Sequence, residues 1–238
     1  FTPRALIKAI VEVMRPQPGM EICDPACGTG GFLLAAYQHI IENNPQLDPD
    51  QRAHLRSGAF TGWEIVDNTA RLCAMNLLLH GLESPESDSP IHVDDALLAD
   101  PGHRYDMVLT NPPFGKKSSV TMVGRDGKTD KQTLTVERQD FWATTSNKQL
   151  NFVQHVKTLL KMGGTAAVVV PDNVLFEGGA GDRGDRVVPR RHARHHCAGG
   201  DARLSCAHAL VCRWPHCRLS PLRPYRCHRR PPRPNTLL

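Results

Sequence analysis

Short apolar segments rich in β-forming residues alternate with amphipathic helical segments over the first 171 residues of this 238-residue chain. The predicted strands are MEICD, FTGWEI, PIHVDDALL, YDMVLTN and TAAVVVP. The predicted helices are FTPRALIKAIVEVM, FLLAAYQHIIENN, DPDQRAHLRSG, NTARLCAMNLLLHGL and NFVQHVKTLLKMGG. This alternation predicts an α/β sandwich with a mainly parallel sheet. Ligands of such sheets bind beyond the carboxyl ends of the strands, so the loops that follow strands are the candidate sites.

Local signals predict how several elements begin and end. Thr2 is the expected N-cap of the first helix, with Pro3 at its first position. Glycines are expected to end the last helix. Residues 116–148 are polar and lack a clear apolar period, which predicts a long loop.

The chain joins two compositions. Residues 1–181 hold 16 Lys and Arg against 21 Asp and Glu, whereas residues 182–238 hold 13 Arg, no Lys and 3 Asp. We predict a partial catalytic domain over 1–181 and, over 182–238, a basic tail rich in Cys, His and Pro that is out of frame or disordered. A basic arm for nucleic acid is the alternative, but an arm without lysine is unusual. A second alternative is a Cys/His metal module. Because the tail has no C-x-x-C pair, no metal site is predicted.

The apolar content and the remaining cysteines bear on location. No run of 18 apolar residues and no secretory signal occur, so no membrane span is predicted. Cys23, Cys27 and Cys73 lie in apolar segments and are predicted to be reduced core residues of a cytoplasmic protein. Because the chain begins at Phe1, we expect a fragment of a longer protein.

The first candidate site is the glycine-rich stretch EICDPACGTGGF. Glycines 28, 30 and 31 after a strand let a ligand approach the backbone, and the next helix offers free N–H groups. Leu33 occupies the place of the third glycine of a dinucleotide fingerprint, and no G-K-[ST] follows. Asp24 at the strand tip favours a ligand with a cationic part, such as S-adenosylmethionine. The alternative is an ordinary βα turn.

Acidic residues end the next two strands. Glu64 follows the glycine loop by about 35 residues, where an acid in nucleoside-binding folds accepts hydrogen bonds from ribose hydroxyls. Asp95 is a candidate acceptor for an adenine amino group, with Asp94 as its neighbouring rival. A carboxylate that merely caps a turn is the alternative for this pair.

The stretch YDMVLTNPPFG ends a strand on an amide followed by two prolines. The carbonyls of Asn111 and Pro112 could hold both hydrogens of an NH2 group. Proline fixes φ and stiffens this geometry, and Phe114 could stack on a base that has left the duplex. Two such acceptors would draw an aromatic amine towards a tetrahedral arrangement and expose its lone pair. The alternative is a proline-rich turn with a packed Phe.

DPACGTGGFL together with NPPFG resembles the amino-group DNA methyltransferases, most closely the modification subunit of type I restriction–modification systems. FTP, GWEI, DDALL and VVVPDNVLFEGG occur in the order of that family. The resemblance implies a class I S-adenosylmethionine-dependent methyltransferase fold, Rossmann-like with a seven-stranded mostly parallel sheet, truncated in this chain. It implies adenine N6 methylation in DNA with S-adenosylmethionine as donor. The implied site residues are Thr2, Asp24, Ala26, Gly28, Gly30, Glu64 and Asp95 for the cofactor, and Asn111, Pro112, Pro113 and Phe114 for catalysis.

The same resemblance implies partners: DNA, a separate specificity subunit and a restriction subunit. The net acidic charge of residues 1–181 fits that division of labour, because a lone DNA reader is usually basic. Basic residues at 116, 117, 125, 128, 131, 138 and 148 surround the catalytic loop, which suggests a segment that closes over a flipped adenine. A solvated loop is the alternative.

An NPP-aromatic tetrad also serves methyltransferases that act on RNA guanine N2, cytosine N4 or a protein glutamine. FTP, DPACGTGGF and the long polar insertion favour the type I DNA enzymes. A chain that only binds cofactor or a partner is the non-catalytic alternative.

Overall fold

The computed structural model describes residues 2–82, 88–113, 119–123, 129–133, 137–171, 207–213 and 220–221. The helices are α1 (Arg4–Met14), α2 (Gly31–Asn43), α3 (Pro49–Ser57), α4 (Asp67–Leu79) and α5 (Lys148–Leu159). The strands are β1 (Ile22–Asp24), β2 (Phe60–Glu64), β3 (Ile91–Val93), β4 (Tyr105–Thr110), β5 (Ser119–Val123), β6 (Thr129–Thr133), β7 (Leu160–Pro171), β8 (Ala207–Arg213) and β9 (Ser220–Pro221). No helix in these described ranges is long and apolar enough to cross a membrane.

The main sheet has the strand order β3-β2-β1-β4-β7-β8-β9. The first five strands run parallel, and β8 and β9 each pair antiparallel with the preceding strand of that order. The chain progresses outward from β1 in one direction and from β4 in the other, so the order reverses between these two neighbours. This reversal is the topological switch point at which ligands bind in open α/β sheets. The predicted fold class is confirmed by this topology.

Apolar side chains cover both faces of the sheet. Alternate residues of β7 join different clusters, with Ala167 and Val169 in the larger one and Ala166 and Val168 in the smaller. The larger cluster packs α1 to α4 on the sheet, and the smaller one packs α5. Because both faces are buried, β7 reads as an almost continuous apolar run, as expected of a parallel strand. Cys23, Cys27 and Cys73 are buried and free, as predicted.

Several predicted boundaries differ from the structure. The N-cap of α1 is Pro3, whose carbonyl accepts hydrogen bonds from the Leu6 and Ile7 N–H groups, so the prediction of a Thr2 cap was wrong. The helix in DPDQRAHLRSG is confirmed, and a capping box between Asp48 and Gln51 begins it.

The region from 116 to 160 shows the largest departures. The predicted loop over 116–148 contains the antiparallel hairpin of β5 and β6. Helix α5 begins at Lys148, after an Asn147 N-cap, and passes directly into β7 at Leu160, so the prediction that glycines end it was wrong. The register of β7 with β4 jumps between Leu160 and Thr165, and Gly163 takes a positive φ of 85° there, so the glycines shape a bulge instead.

Strands β8 and β9 lie within the predicted tail. The assignment of residues 182–238 as out of frame or disordered stays a prediction.

Candidate active site

A cavity of about 1560 Å³ opens at the carboxyl edge of the sheet, around the switch point between β1 and β4. Single small-molecule sites usually enclose roughly 300–1,000 Å³, so this space can admit more than one ligand. The predicted site residues that line it are Thr2, Asp24, Ala26, Gly28, Glu64, Asp95, Asn111, Pro112 and Pro113. Phe114 lies outside the described residues, and Gly30 does not line the cavity.

Asp24 ends β1 as a buried carboxyl group, with 2% of its surface exposed. Burial raises its pKa from 3.8 to about 7, and the Glu64 charge adds to this rise. The Thr110 hydroxyl and the Ala26 N–H partly oppose it, although only the Ala26 N–H, 3.0 Å from Oδ1, makes a hydrogen bond of normal geometry. A cationic ligand beside this carboxyl would favour its ionised form.

Glu64 ends β2 and joins two loops through its carboxylate. Its Oε2 accepts a hydrogen bond from the Gly28 N–H at 3.1 Å, and its Oε1 accepts one from the Val66 N–H at 2.9 Å. Gly28 has a positive φ of 55° in this turn, a conformation that glycine adopts without strain. A carboxylate has about four acceptor positions, so capacity remains for the hydroxyls of a ligand.

Gly30 has a different role from Gly28. It is the N-cap of α2 with a φ of 82°, and a Cβ added to it would lie 2.8 Å from the Cys73 Sγ of α4. Similarly, a Cβ added to Gly31 would lie 2.9 Å from the Ile7 Cδ1 of α1. The structure therefore gives Gly30 a packing role between helices, which the sequence pattern alone did not separate from ligand contact.

Asp94 and Asp95 follow β3 and both line the cavity. Asp95 Oδ1 accepts a hydrogen bond from the Leu97 N–H at 3.0 Å, and the Asp95 carbonyl accepts one from the Leu98 N–H at 3.0 Å. Asp94 is more exposed, and its Oδ1 accepts a hydrogen bond from the Asp95 N–H at 2.7 Å. Asp95 thus caps its own turn, and both carboxylates remain candidates for contact with a ligand.

Asn111 follows β4 at the other side of the switch point. Its Nδ2 donates a hydrogen bond to the Thr2 Oγ1 at 2.8 Å, which fixes the plane of the amide. Its Oδ1 is buried and has no hydrogen-bond partner among the residues that the structure describes. Leaving a buried acceptor unsatisfied costs about 1–3 kcal/mol, so this oxygen is suited to a donor from outside the chain. Pro112 beside it is buried and Pro113 is exposed.

The structure also adds residues that sequence reasoning missed. Phe152, from the first turns of α5, lines the cavity, and so does Trp63, whose ring stacks on His92 at 4.8 Å. Lys148, one of the basic residues expected around the catalytic loop, lines it as well. Phe152 lies in a predicted helix, and no sequence signal separates it from the core residues of that helix. Arg138, which the sequence places among the basic residues around the catalytic loop, is buried in an ion pair with Asp140.

The doubly wound sheet, with acidic residues after three neighbouring strands and a fixed amide after the fourth, defines an α/β protein with a ligand site at the switch point. A family model for N-6 DNA methylases matches residues 1–186. The EcoKI methylase subunit of Escherichia coli K12 is 40% identical over 187 residues, which are 76% of this chain and 32% of that protein. The StySPI methylase subunit of Salmonella potsdam matches with the same identity and coverage.

Solved structures agree with these relatives. The crystal structure of the EcoKI M protein aligns with a TM-score of 0.64 at 40% identity, over 77% of this chain and 36% of that one. A modification subunit of a putative type I restriction enzyme from Vibrio vulnificus YJ016 aligns with a TM-score of 0.62 at 33% identity, over 79% of this chain and 38% of that one. The chain belongs to the N-6 DNA methylase family, and it spans about a third of the length of the curated relatives it matches.

Proposed function

We propose that this chain carries the cofactor site and the target-base site of a type I modification subunit, which transfers a methyl group to the N6 amino group of adenine in DNA. The observation that carries the proposal is the buried Oδ1 of Asn111, which has no partner among the described residues and lies beside the acidic ends of the neighbouring strands. Membership of the N-6 DNA methylase family supports the choice of adenine over the other amines considered above.

The acceptors around the cavity fit S-adenosylmethionine. The Asp24 carboxylate suits the cationic part of the cofactor. The Glu64 carboxylate can accept hydrogen bonds from two ribose hydroxyls, and Asp95 or Asp94 can accept one from the adenine amino group. Each of these is an acceptor, and the ammonium, diol and amino group of the cofactor are all donors. When bound, S-adenosylmethionine supplies a methyl group on a positively charged sulfur, which makes that carbon electrophilic.

The target side works through hydrogen-bond acceptors. Thr2 fixes the amide of Asn111, a residue that lines the cavity, so that its Oδ1 would be the first acceptor, and the Pro112 carbonyl would be the second acceptor without a competing N–H. Holding both hydrogens localises the lone pair on the amine nitrogen. With S-adenosylmethionine bound, that nitrogen would take the methyl group while the carbon–sulfur electron pair stays on sulfur, and its surplus proton would pass to water.

DNA, a specificity subunit and a restriction subunit are the proposed partners. The relatives are named as methylase subunits of type I restriction enzymes, and a type I system solved to explain complex assembly aligns with a TM-score of 0.62 at 31% identity. The acidic balance of residues 1–181 supports delegation of sequence reading to another chain. The segment after Pro113 would close over the flipped adenine; Phe114 and much of that segment lie outside the described residues.

The test is transfer of a tritiated methyl group from labelled cofactor to DNA, RNA and a glutamine-bearing protein substrate. We expect label in DNA, and we expect Asn111→Ala to lower its rate by about 100-fold, as for loss of a positioned transition-state contact. Cofactor binding, measured by calorimetry, should survive that substitution. Asn44→Ala at the end of α2 is the matched control and should keep full activity.

Label in RNA or protein alone would overturn the DNA assignment. Full activity of Asn111→Ala would overturn the mechanism. Cofactor binding without transfer to any substrate would instead support the alternative that this chain binds cofactor but does not catalyse.

A further inference from the structure

The loop that carries Asp94 and Asp95 is weakly supported by the sheet. It follows β3, a three-residue strand at the sheet edge, whose described pairing is with β2. His92 and Val93 of this strand are exposed. A short edge strand constrains its following loop less than a central strand does. An additional anchor is therefore needed if a carboxylate on this loop is to recognise a base.

Arg138 contacts this loop from behind the cavity. Its side chain is only 6% exposed, and its Nη1 lies 3.3 Å from the Leu97 carbonyl oxygen and 3.5 Å from that of Ala96. These two carbonyls come directly after Asp95 in the chain. Arg138 itself does not line the cavity, so its contact is with the loop backbone.

Three neighbours fix the Arg138 guanidinium. Asp140 receives two hydrogen bonds, from Nε to Oδ1 at 2.9 Å and from Nη2 to Oδ2 at 2.7 Å, and the guanidinium lies 4.3 Å over the Phe141 ring. Nη1 also lies 3.1 Å from the His155 Nδ1. Burial, and secondarily the Arg138 charge, lowers the pKa of His155 to about 4, so His155 is neutral near pH 7 and can accept this contact.

The support behind Arg138 is rigid. Gln154 of α5 accepts a hydrogen bond from the Ala143 N–H at 2.9 Å and donates one to the Ala143 carbonyl at 3.0 Å. Helix α5 in turn packs on β4 and β7, in the interior of the sheet. Arg138 thus ties the edge loop to the helix that packs on β4, the strand that Asn111 follows.

We propose that Arg138 is a positioning residue for purine recognition: it fixes the loop after β3 so that a carboxylate of Asp94 or Asp95 meets the adenine amino group of the cofactor. The inference rests on the proposed function, because it requires the adenosine part of S-adenosylmethionine in this cavity. A planar, five-donor guanidinium suits the role, since it can hold Asp140 bidentately and still reach carbonyls on another segment.

The test compares two ligands by calorimetry with the full 238-residue chain. S-adenosylhomocysteine has a 6-amino donor, and S-inosylhomocysteine has an oxo acceptor at the same position. We expect the wild-type chain to prefer the adenine ligand, and Arg138→Met to lower that preference about tenfold, as for loss of charge-assisted hydrogen bonds. Arg138→Lys should lower it in the same direction and supplies the measurement if Arg138→Met does not fold.

Thr158→Val is the matched control. The Thr158 hydroxyl donates to the same Asp140 carboxylate but does not reach the loop after β3, so the adenine preference should persist. The proposal is overturned if both ligands weaken equally in the Arg138 variants, if Thr158→Val loses the preference as well, or if the wild-type chain shows no preference. A wild-type chain that binds neither ligand would refute the proposed function itself, which separates the two failures.

Discussion

Asp24→Asn should make the empty protein more stable at high pH while it weakens cofactor binding. The native carboxyl is 2% exposed, and its pKa is raised from 3.8 to about 7, with burial as the main cause. Because the folded pKa exceeds the unfolded one, the native state favours the protonated form. The contribution of Asp24 to the free energy of unfolding is therefore greatest below the unfolded pKa. It declines as the pH rises from 3.8 to about 7 and is constant above that pH.

The size of the effect follows from the shift. Each pKa unit corresponds to about 1.4 kcal/mol, so relative to low pH the Asp24 carboxyl lowers the stability by about 2 kcal/mol at pH 5.5 and by about 4 kcal/mol at pH 8. Asparagine keeps the shape and the acceptor for the Ala26 N–H without this charge. The effect of the new NH2 group on stability does not depend on pH. The stability gain of Asp24→Asn should therefore be about 2 kcal/mol larger at pH 8 than at pH 5.5.

Urea unfolding of both chains at pH 5.5 and pH 8 measures this difference. The control is Asp100→Asn, because the hydrogen-bonded Arg104 guanidinium keeps the pKa of Asp100 below its ordinary value and this group stays ionised at both pH values. The stability change of Asp100→Asn should be the same at the two pH values. If the stability change of Asp24→Asn were also the same at both pH values, the Asp24 carboxyl would titrate normally in the folded state, and the reasoning would be refuted. The same variant should bind S-adenosylmethionine more weakly despite its greater stability.

Two further substitutions test the packing around the site. Gly30→Ala should lower the free energy of unfolding by about 2 kcal/mol, because alanine is strained at a φ of 82° and its Cβ would meet the Cys73 Sγ; the Gly30→Ala, Cys73→Ala double variant should recover part of the loss in chemical denaturation. Asp48→Ala should cost about 1 kcal/mol, measured as a lower Tm, because it removes the capping box of α3 without touching the cavity.

The sequence allowed the ends of β1 and β4 to be placed because the signals are local. A glycine loop follows Asp24, and prolines follow Asn111. The end of β3 was placed less well, because it lies at Val93, within the predicted strand PIHVDDALL. In a parallel sheet the carboxyl ends meet at one edge, so the convergence of Asp24, Glu64 and Asn111 follows from the alternation alone.

The missed features depend on residues far apart in sequence. Gly30 serves packing because Cys73 of α4 occupies the space that its Cβ would need. Arg138 lies in a polar stretch without period, and its burial depends on Asp140, His155 and the loop after β3. No local pattern distinguishes such an arginine from one in solvent. Likewise the bulge at Gly163 reflects the register between β4 and β7, which a single strand does not encode.

The two sides of the cavity are built on the same physical principle. The Asp24 carboxyl is buried with a raised pKa, and the Asn111 Oδ1 is buried without a partner in the described part of the chain. Both conditions destabilise the fold, and a ligand relieves each of them: a cation at Asp24 and an amine donor at Asn111. Asp24 ends β1, and Asn111 follows β4. These two strands pair with Cys23 opposite Val108, so ligands would meet the two groups at neighbouring strand tips. A fold that places a buried carboxyl group and a buried amide oxygen at adjacent strand tips binds best when a cation and an amine arrive together, and methyl transfer between two bound molecules needs such an arrangement.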